Sequence, residues 1–122
     1  MPRASATAHE LARIELLASL PGEQLAKLAA RMRRETVLAG AAPTVEGEEG
    51  DRFYAILSGM FSVTKSTLGQ RAILRPGDYF GEVALAMDIP RTATVRALTP
   101  AVVASCDKQT FDEFIRPLFA DD

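Results

Sequence analysis

Leu11, Ile14, Leu17 and Leu20 recur at helical spacing across residues 9–20, and this pattern predicts a helix with one apolar face. Pro21-Gly22 ends it. Leu25, Leu28, Ala29 and Met32 share one face of a second helix expected over residues 23–34. From Glu35 the texture changes. "ETVLAG", "FYAILSG", "FSVTKS", "QRAILRPGD", "TATVRAL" and "AVVASCD" are short, rich in β-branched and aromatic residues, and separated by Gly or Pro-Gly. Such spacing predicts short antiparallel strands in a sandwich or barrel, and the imperfect alternation predicts that they bend. Glycines 40, 47, 50, 59, 69 and 77 are the expected turn positions with positive φ. After Asp107 the helical period returns in Phe111, Phe114, Ile115, Leu118 and Phe119, with Pro117 expected to end or kink that helix near Ile115. The expected fold is mainly β with flanking helices: an antiparallel, jelly-roll-like β-roll with N-terminal helices, a short helix late in the roll and a C-terminal helix. Residues 1–10 are expected to form a flexible lead-in and residues 11–122 one domain.

Composition narrows the function more than the fold. With 122 residues, one domain is expected. The net charge of −2 gives no footprint for nucleic acid, and the Arg31, Arg33, Arg34 run is read as a solvated helix end. No stretch of apolar residues is long enough to span a membrane, and the N-terminus lacks the layout of a signal peptide. Cys106 is the only cysteine, which points to a reducing, cytoplasmic setting and argues against an iron–sulfur sensor. His9 is the only histidine, which argues against a metal-dependent oxygenase on a jelly-roll scaffold.

The chemistry concentrates in "FGEVALAMDIPRTATV", Phe80–Val95. Gly81 permits close approach of the backbone to a ligand. Residues 83–87 suffice for one or two helical turns, and Ile89 before Pro90 forces an extended exit. Such a turn begins with unpaired N–H groups suited to an anion, and Arg91 can bring its fixed fork of donors to the same anion. Glu82 repels a phosphate but accepts well from a neighbouring sugar hydroxyl. The pair would then grip two ends of a nucleotide. The plainer alternative is that Glu82 and Arg91 form an exposed ion pair, which contributes only about 0–1 kcal/mol.

The same stretch resembles the phosphate-binding cassette of the cyclic nucleotide-binding domain family: Phe-Gly-Glu-apolar-Ala-Leu, four residues, then Pro-Arg-small-Ala-Thr/Ser-apolar, with the gap matched. "VEGEEGDRFYAILSGMFSV" is similar to the family's Gly-x-x-Gly-Asp-x-Phe-Tyr strand pair, "LLASLPGEQLAKLAARMRRETVLAG" to its N-terminal helices, and "DKQTFDEFI" to the helix after the last strand. The resemblance spans about residues 11–116. It implies a regulatory module that binds cAMP or cGMP, with no further cofactor and no catalysis, and that passes the signal to an effector domain or protein partner. It further implies that Gly81 and Glu82 approach the ribose and that the N–H groups of Val83 and Ala84 hold the cyclic phosphate. Arg91 would neutralise that phosphate, Thr92 would lie near phosphate and purine, and Ile73, Leu74, Val83 and Leu85 would line the base pocket. Many members add a long helix that covers the base; "RPLFADD" is too short for it, so the base is expected to be open, or covered by a lid from a partner or from a missing segment. The competing expectation is a degenerate β-roll that serves only protein–protein contact.

Overall fold

The computed structural model describes residues 5–119. Residues 1–4 of the expected lead-in and residues 120–122 of the C-terminal segment lie outside the described residues. Within residues 5–10, Ser5 bridges Arg33, Ala6 is buried and donates its N–H to the Met32 carbonyl, and Thr7 with Glu10 forms a capping box at the start of α1 (Ala8–Leu11).

The helix expected over residues 9–20 is cut to α1 followed by a run of turns. Ile14, Leu17 and Leu20 each donate to the carbonyl three residues earlier. The spacing explains this correction. An apolar residue every third position matches the 3.0-residue period of 3₁₀ turns better than the 3.6 of an α-helix. Leu11, Ile14 and Leu17 are fully buried all the same. The second helix, α2 (Gly22–Arg31), stops before its expected end because Met32 is extended and Arg33–Val37 forms strand β1. Its face of Leu25, Leu28 and Ala29 is buried, as expected. The arginine run is split among separate carboxylates: Arg31 on Glu113 at 2.6 Å, Arg34 on Glu10, and Arg33 4.0 Å from Glu35.

The remaining strands are β2 (Arg52–Ser58), β3 (Phe61–Lys65), β4 (Gly69–Leu74), β5 (Tyr79–Phe80), β6 (Thr94–Ala97) and β7 (Ala101–Asp107). They form two antiparallel sheets in the orders β1-β7-β2-β5 and β4-β3-β6, which is the expected β-roll. The two central strands explain the imperfect alternation. Phe53, Ala55, Ala104 and Cys106 pack toward the helices, whereas Tyr54, Ile56, Ala101 and Val103 pack toward the second sheet. A strand covered on both faces reads as a continuous apolar run.

Asp107 caps the C-terminal helical segment through the Thr110 N–H. The segment runs from α4 (Lys108–Thr110) through a π turn (Phe111–Ile115) into a 3₁₀ turn (Arg116–Phe119). The winding tightens beside Pro117, which cannot donate to an α-helical ladder. Phe111, Phe114 and Ile115 close the helix-side core. Among the described residues no helix is long and apolar enough to cross a membrane.

Candidate ligand-binding site

β5 ends at Phe80, whose ring stacks on Tyr54 at 4.8 Å. The chain then turns sharply. Gly81 has φ 94° and stands at the N-cap of α3 (Glu82–Met87). A side chain there would be strained and crowded, because a Cβ would sit 2.8 Å from the Arg52 carbonyl and 3.1 Å from Arg91 Nη1. The short helix closes at Asp88, itself left-handed at φ 56°, and Pro90 carries the chain out toward β6. The Arg91 main chain is fixed on both sides: its N–H donates to the Glu48 carbonyl and its carbonyl accepts from Gly47, both at 2.8 Å.

The Arg91 side chain turns inward and is only 7% exposed. Nη1 donates to the Gly81 carbonyl at 3.1 Å and Nη2 to the Arg52 carbonyl at 2.8 Å. Among the described residues no carboxylate lies within ion-pair distance of it. The reading of Glu82 and Arg91 as a surface ion pair is therefore excluded. Burial pulls the Arg91 guanidinium below its ordinary pKa, opposed by the fields of Tyr54, Asp51 and Glu82. Burial pushes the Glu82 carboxyl up, partly offset by its own N–H and by Arg91. The Arg91 guanidinium thus has two carbonyl acceptors but, among the described residues, no carboxylate against it.

Gly81, Glu82, Val83, Ala84, Arg91 and Thr92 all line one pocket of about 200 Å³, whose remaining wall includes Thr44, Val63, Leu74 and Val95. The structure thus brings the sequence-predicted residues together. Val83 lies half-exposed at the rim. The first N–H groups of α3 have no intrahelical carbonyl to meet. Two of the expected base-pocket residues do not belong: Ile73 is absent from the lining, and Leu85 is 1% exposed within the helix-side core. Leu74 points into the pocket because it alternates with Ile73 along β4. A larger cavity of about 330 Å³, beside Glu10, Arg34 and Pro76, contains none of the predicted residues.

Sequence reasoning missed two contributors. Gly50 was read as a turn glycine, but its φ is not positive. It is small because Arg91 passes over it: a Cβ would meet Arg91 Nε at 2.1 Å. The Arg52 carbonyl holds Nη2, and a main-chain acceptor leaves no mark in a sequence. The Gly-Asp pair at 50–51 was the available signal for the first.

The β-roll buries, beside a helix start, an arginine with no carboxylate against it among the described residues, which is the layout of an anion site. The chain belongs to the cyclic nucleotide-binding domain family, whose model matches residues 34–117. It is 41% identical over 104 residues to the cAMP-dependent protein kinase regulatory subunit of Debaryomyces hansenii, covering 85% of this chain and 23% of that protein. It is 34% identical over 124 residues to the cGMP-dependent protein kinase egl-4 of Caenorhabditis briggsae, covering 97% of this chain and 17% of that protein. In three dimensions it is similar to the regulatory domain of Toxoplasma gondii PKA crystallised with cAMP, with a TM-score of 0.86 and 29% identity over 91% of this chain and 44% of that one. The chain spans about a quarter or less of the length of these curated relatives.

Proposed function

We propose that this chain is a non-catalytic regulatory module that binds cAMP or cGMP in the pocket behind α3 and passes the bound state to an effector domain or a kinase partner in the cytoplasm. Residues 11–122 form the binding unit. The observation that carries this reading is Arg91: a buried guanidinium anchored on two carbonyls with, among the described residues, no carboxylate to neutralise it. A cyclic phosphate supplies that charge. The N–H groups of Val83 and Ala84 join it on the phosphate, Glu82 accepts from the ribose 2′-hydroxyl, and Thr92 stands between phosphate and purine. Gly81 lets the backbone approach the sugar. The relatives named for cAMP- and cGMP-dependent kinases support the ligand class. A contact module without a ligand has no use for a buried arginine that, among the described residues, has no carboxylate beside it, which disfavours the degenerate reading.

Calorimetric titration with cAMP and cGMP tests this. Saturable one-to-one binding is expected, and Arg91→Ala is expected to weaken it by roughly 30-fold or more, since truncating one partner of a buried charged pair costs about 2–5 kcal/mol. Absence of binding by wild type, or an Arg91→Ala variant that binds as wild type does, overturns the reading.

A further inference from the structure

The carbonyl that holds Arg91 belongs to a residue whose own side chain engages other partners. Arg52 opens β2. Its Nε and Nη2 both donate to the Ser105 hydroxyl, at 3.1 and 3.0 Å. Ser105 lies on β7 opposite Tyr54 and is fully buried. It donates its single proton to the Glu35 carboxylate on β1, which also lies 4.0 Å from Arg52 Nε. One hydroxyl has one donor and two acceptor sites, and here all are used. The chain of contacts therefore ties β1, β7 and the first residue of β2 in one orientation. The Arg52 carbonyl is also the atom that a Cβ on Gly81 would strike, so Gly81 and Arg91 are both placed against the same oxygen.

We propose that Glu35, Ser105 and Arg52 are positioning residues for Arg91: by fixing the start of β2 they fix the carbonyl that orients the guanidinium toward the pocket. In its binding consequence the proposal rests on Arg91 as the phosphate-binding residue; in its structural consequence it does not. β2 emerges from the long connection after Val37, and at its first residue the side-chain bonds to Ser105 add a second hold to the main-chain pairing with Asp107.

The test uses Arg52→Lys, Ser105→Ala and Glu35→Gln in the full chain. Arg52→Lys keeps the charge and loses the fork; Glu35→Gln is the mildest variant and keeps the test open if Ser105→Ala does not fold. Two readouts are taken. The first is the ¹H–¹⁵Nε resonance of Arg91 in ligand-free protein, assigned by its loss in Arg91→Lys. The second is the cAMP dissociation constant, in wild-type and Arg91→Ala backgrounds. The resonance is expected to shift and broaden in Arg52→Lys and Ser105→Ala, and less so in Glu35→Gln. cAMP affinity is expected to fall about tenfold in the first two, and not further when Arg91 is already Ala, as for groups coupled through one network. An unmoved Arg91 resonance overturns the proposal. So does an affinity loss of equal size in both backgrounds, which marks a merely structural role. If Arg91→Ala alone leaves cAMP binding unchanged, the phosphate reading falls, and the resonance still decides the positioning role.

Discussion

Gly50→Ala isolates the placement of Arg91 from every other feature of the pocket. The backbone at Gly50 is outside the positive-φ region, so alanine meets no strain there and by itself would stabilise the fold by about 0.4–1 kcal/mol. The added methyl, however, would lie 2.1 Å from Arg91 Nε, 2.3 Å from Cζ and 2.6 Å from Cδ. Carbon-to-heavy-atom contacts settle near 3.5 Å or beyond, so the buried guanidinium must retreat by about 1 Å or more. A shift of that size away from the acceptors would take its bonds of 3.1 Å to Gly81 and 2.8 Å to Arg52 past hydrogen-bond range, roughly 3.5 Å. A hydrogen bond to a charged group contributes about 1.5–3 kcal/mol, so displacing the arginine should cost at least about 2 kcal/mol of ligand affinity, roughly 30-fold. The assay is calorimetric titration with cAMP, with a thermal melt of the free protein alongside. Gly40→Ala serves as control: φ there is +89° with nothing within 4 Å of the new Cβ, so stability should fall by about 1–2 kcal/mol with affinity untouched. Gly50→Ala should also add nothing once Arg91 is Ala. Wild-type affinity in Gly50→Ala, or a full Gly50→Ala loss in the Arg91→Ala background, refutes the reasoning.

Three further outcomes are expected. Glu82→Gln should weaken cyclic nucleotides more than their 2′-deoxy analogues, by about 1.5–3 kcal/mol if the carboxylate accepts from the ribose hydroxyl; equal losses in the two titrations would show that Glu82 does not read the sugar. cAMP and cGMP should bind within about tenfold of each other, and Thr92→Ala should lower cGMP affinity by about 1 kcal/mol more than cAMP affinity; paired titrations showing equal losses would leave Thr92 with the phosphate alone. Cys106 is fully buried and its thiol is pushed up to about 12, chiefly by burial, so almost none is thiolate at pH 8. Disulfide-exchange labelling of native protein should then proceed only at the rate of unfolding, and rapid stoichiometric labelling without denaturant would contradict the packing of β7.

What could be read from the chain divides by the kind of physics involved. The cassette was legible because its constraints are local: Gly81 for close approach of the backbone, Ile89-Pro90 for an extended exit, Arg91 a fixed distance on. The β-roll was legible from short β-branched runs between glycines. The N-terminal segment was misread because Leu11, Ile14, Leu17 and Leu20 satisfy a three-residue period as well as a helical stripe, and tertiary packing chose the tighter winding. Ile73 and Leu74 could not be told apart, because which of two neighbours faces inward depends on register and a slip of one residue exchanges them. Gly50 and Arg52 lay furthest from view. Their roles exist only where the loop before β2 crosses the arginine, some forty residues away along the chain. That crossing is also why the site is more than its cassette. Within residues 81–92 the Gly81 carbonyl alone holds the guanidinium, through Nη1. The Arg52 carbonyl takes the second guanidinium nitrogen and the missing Cβ at Gly50 lets the side chain pass, so that Arg91 and Glu82 line one pocket with no ion pair between them, an arrangement that the proposed ligand, with both a hydroxyl and a phosphate, would satisfy at once.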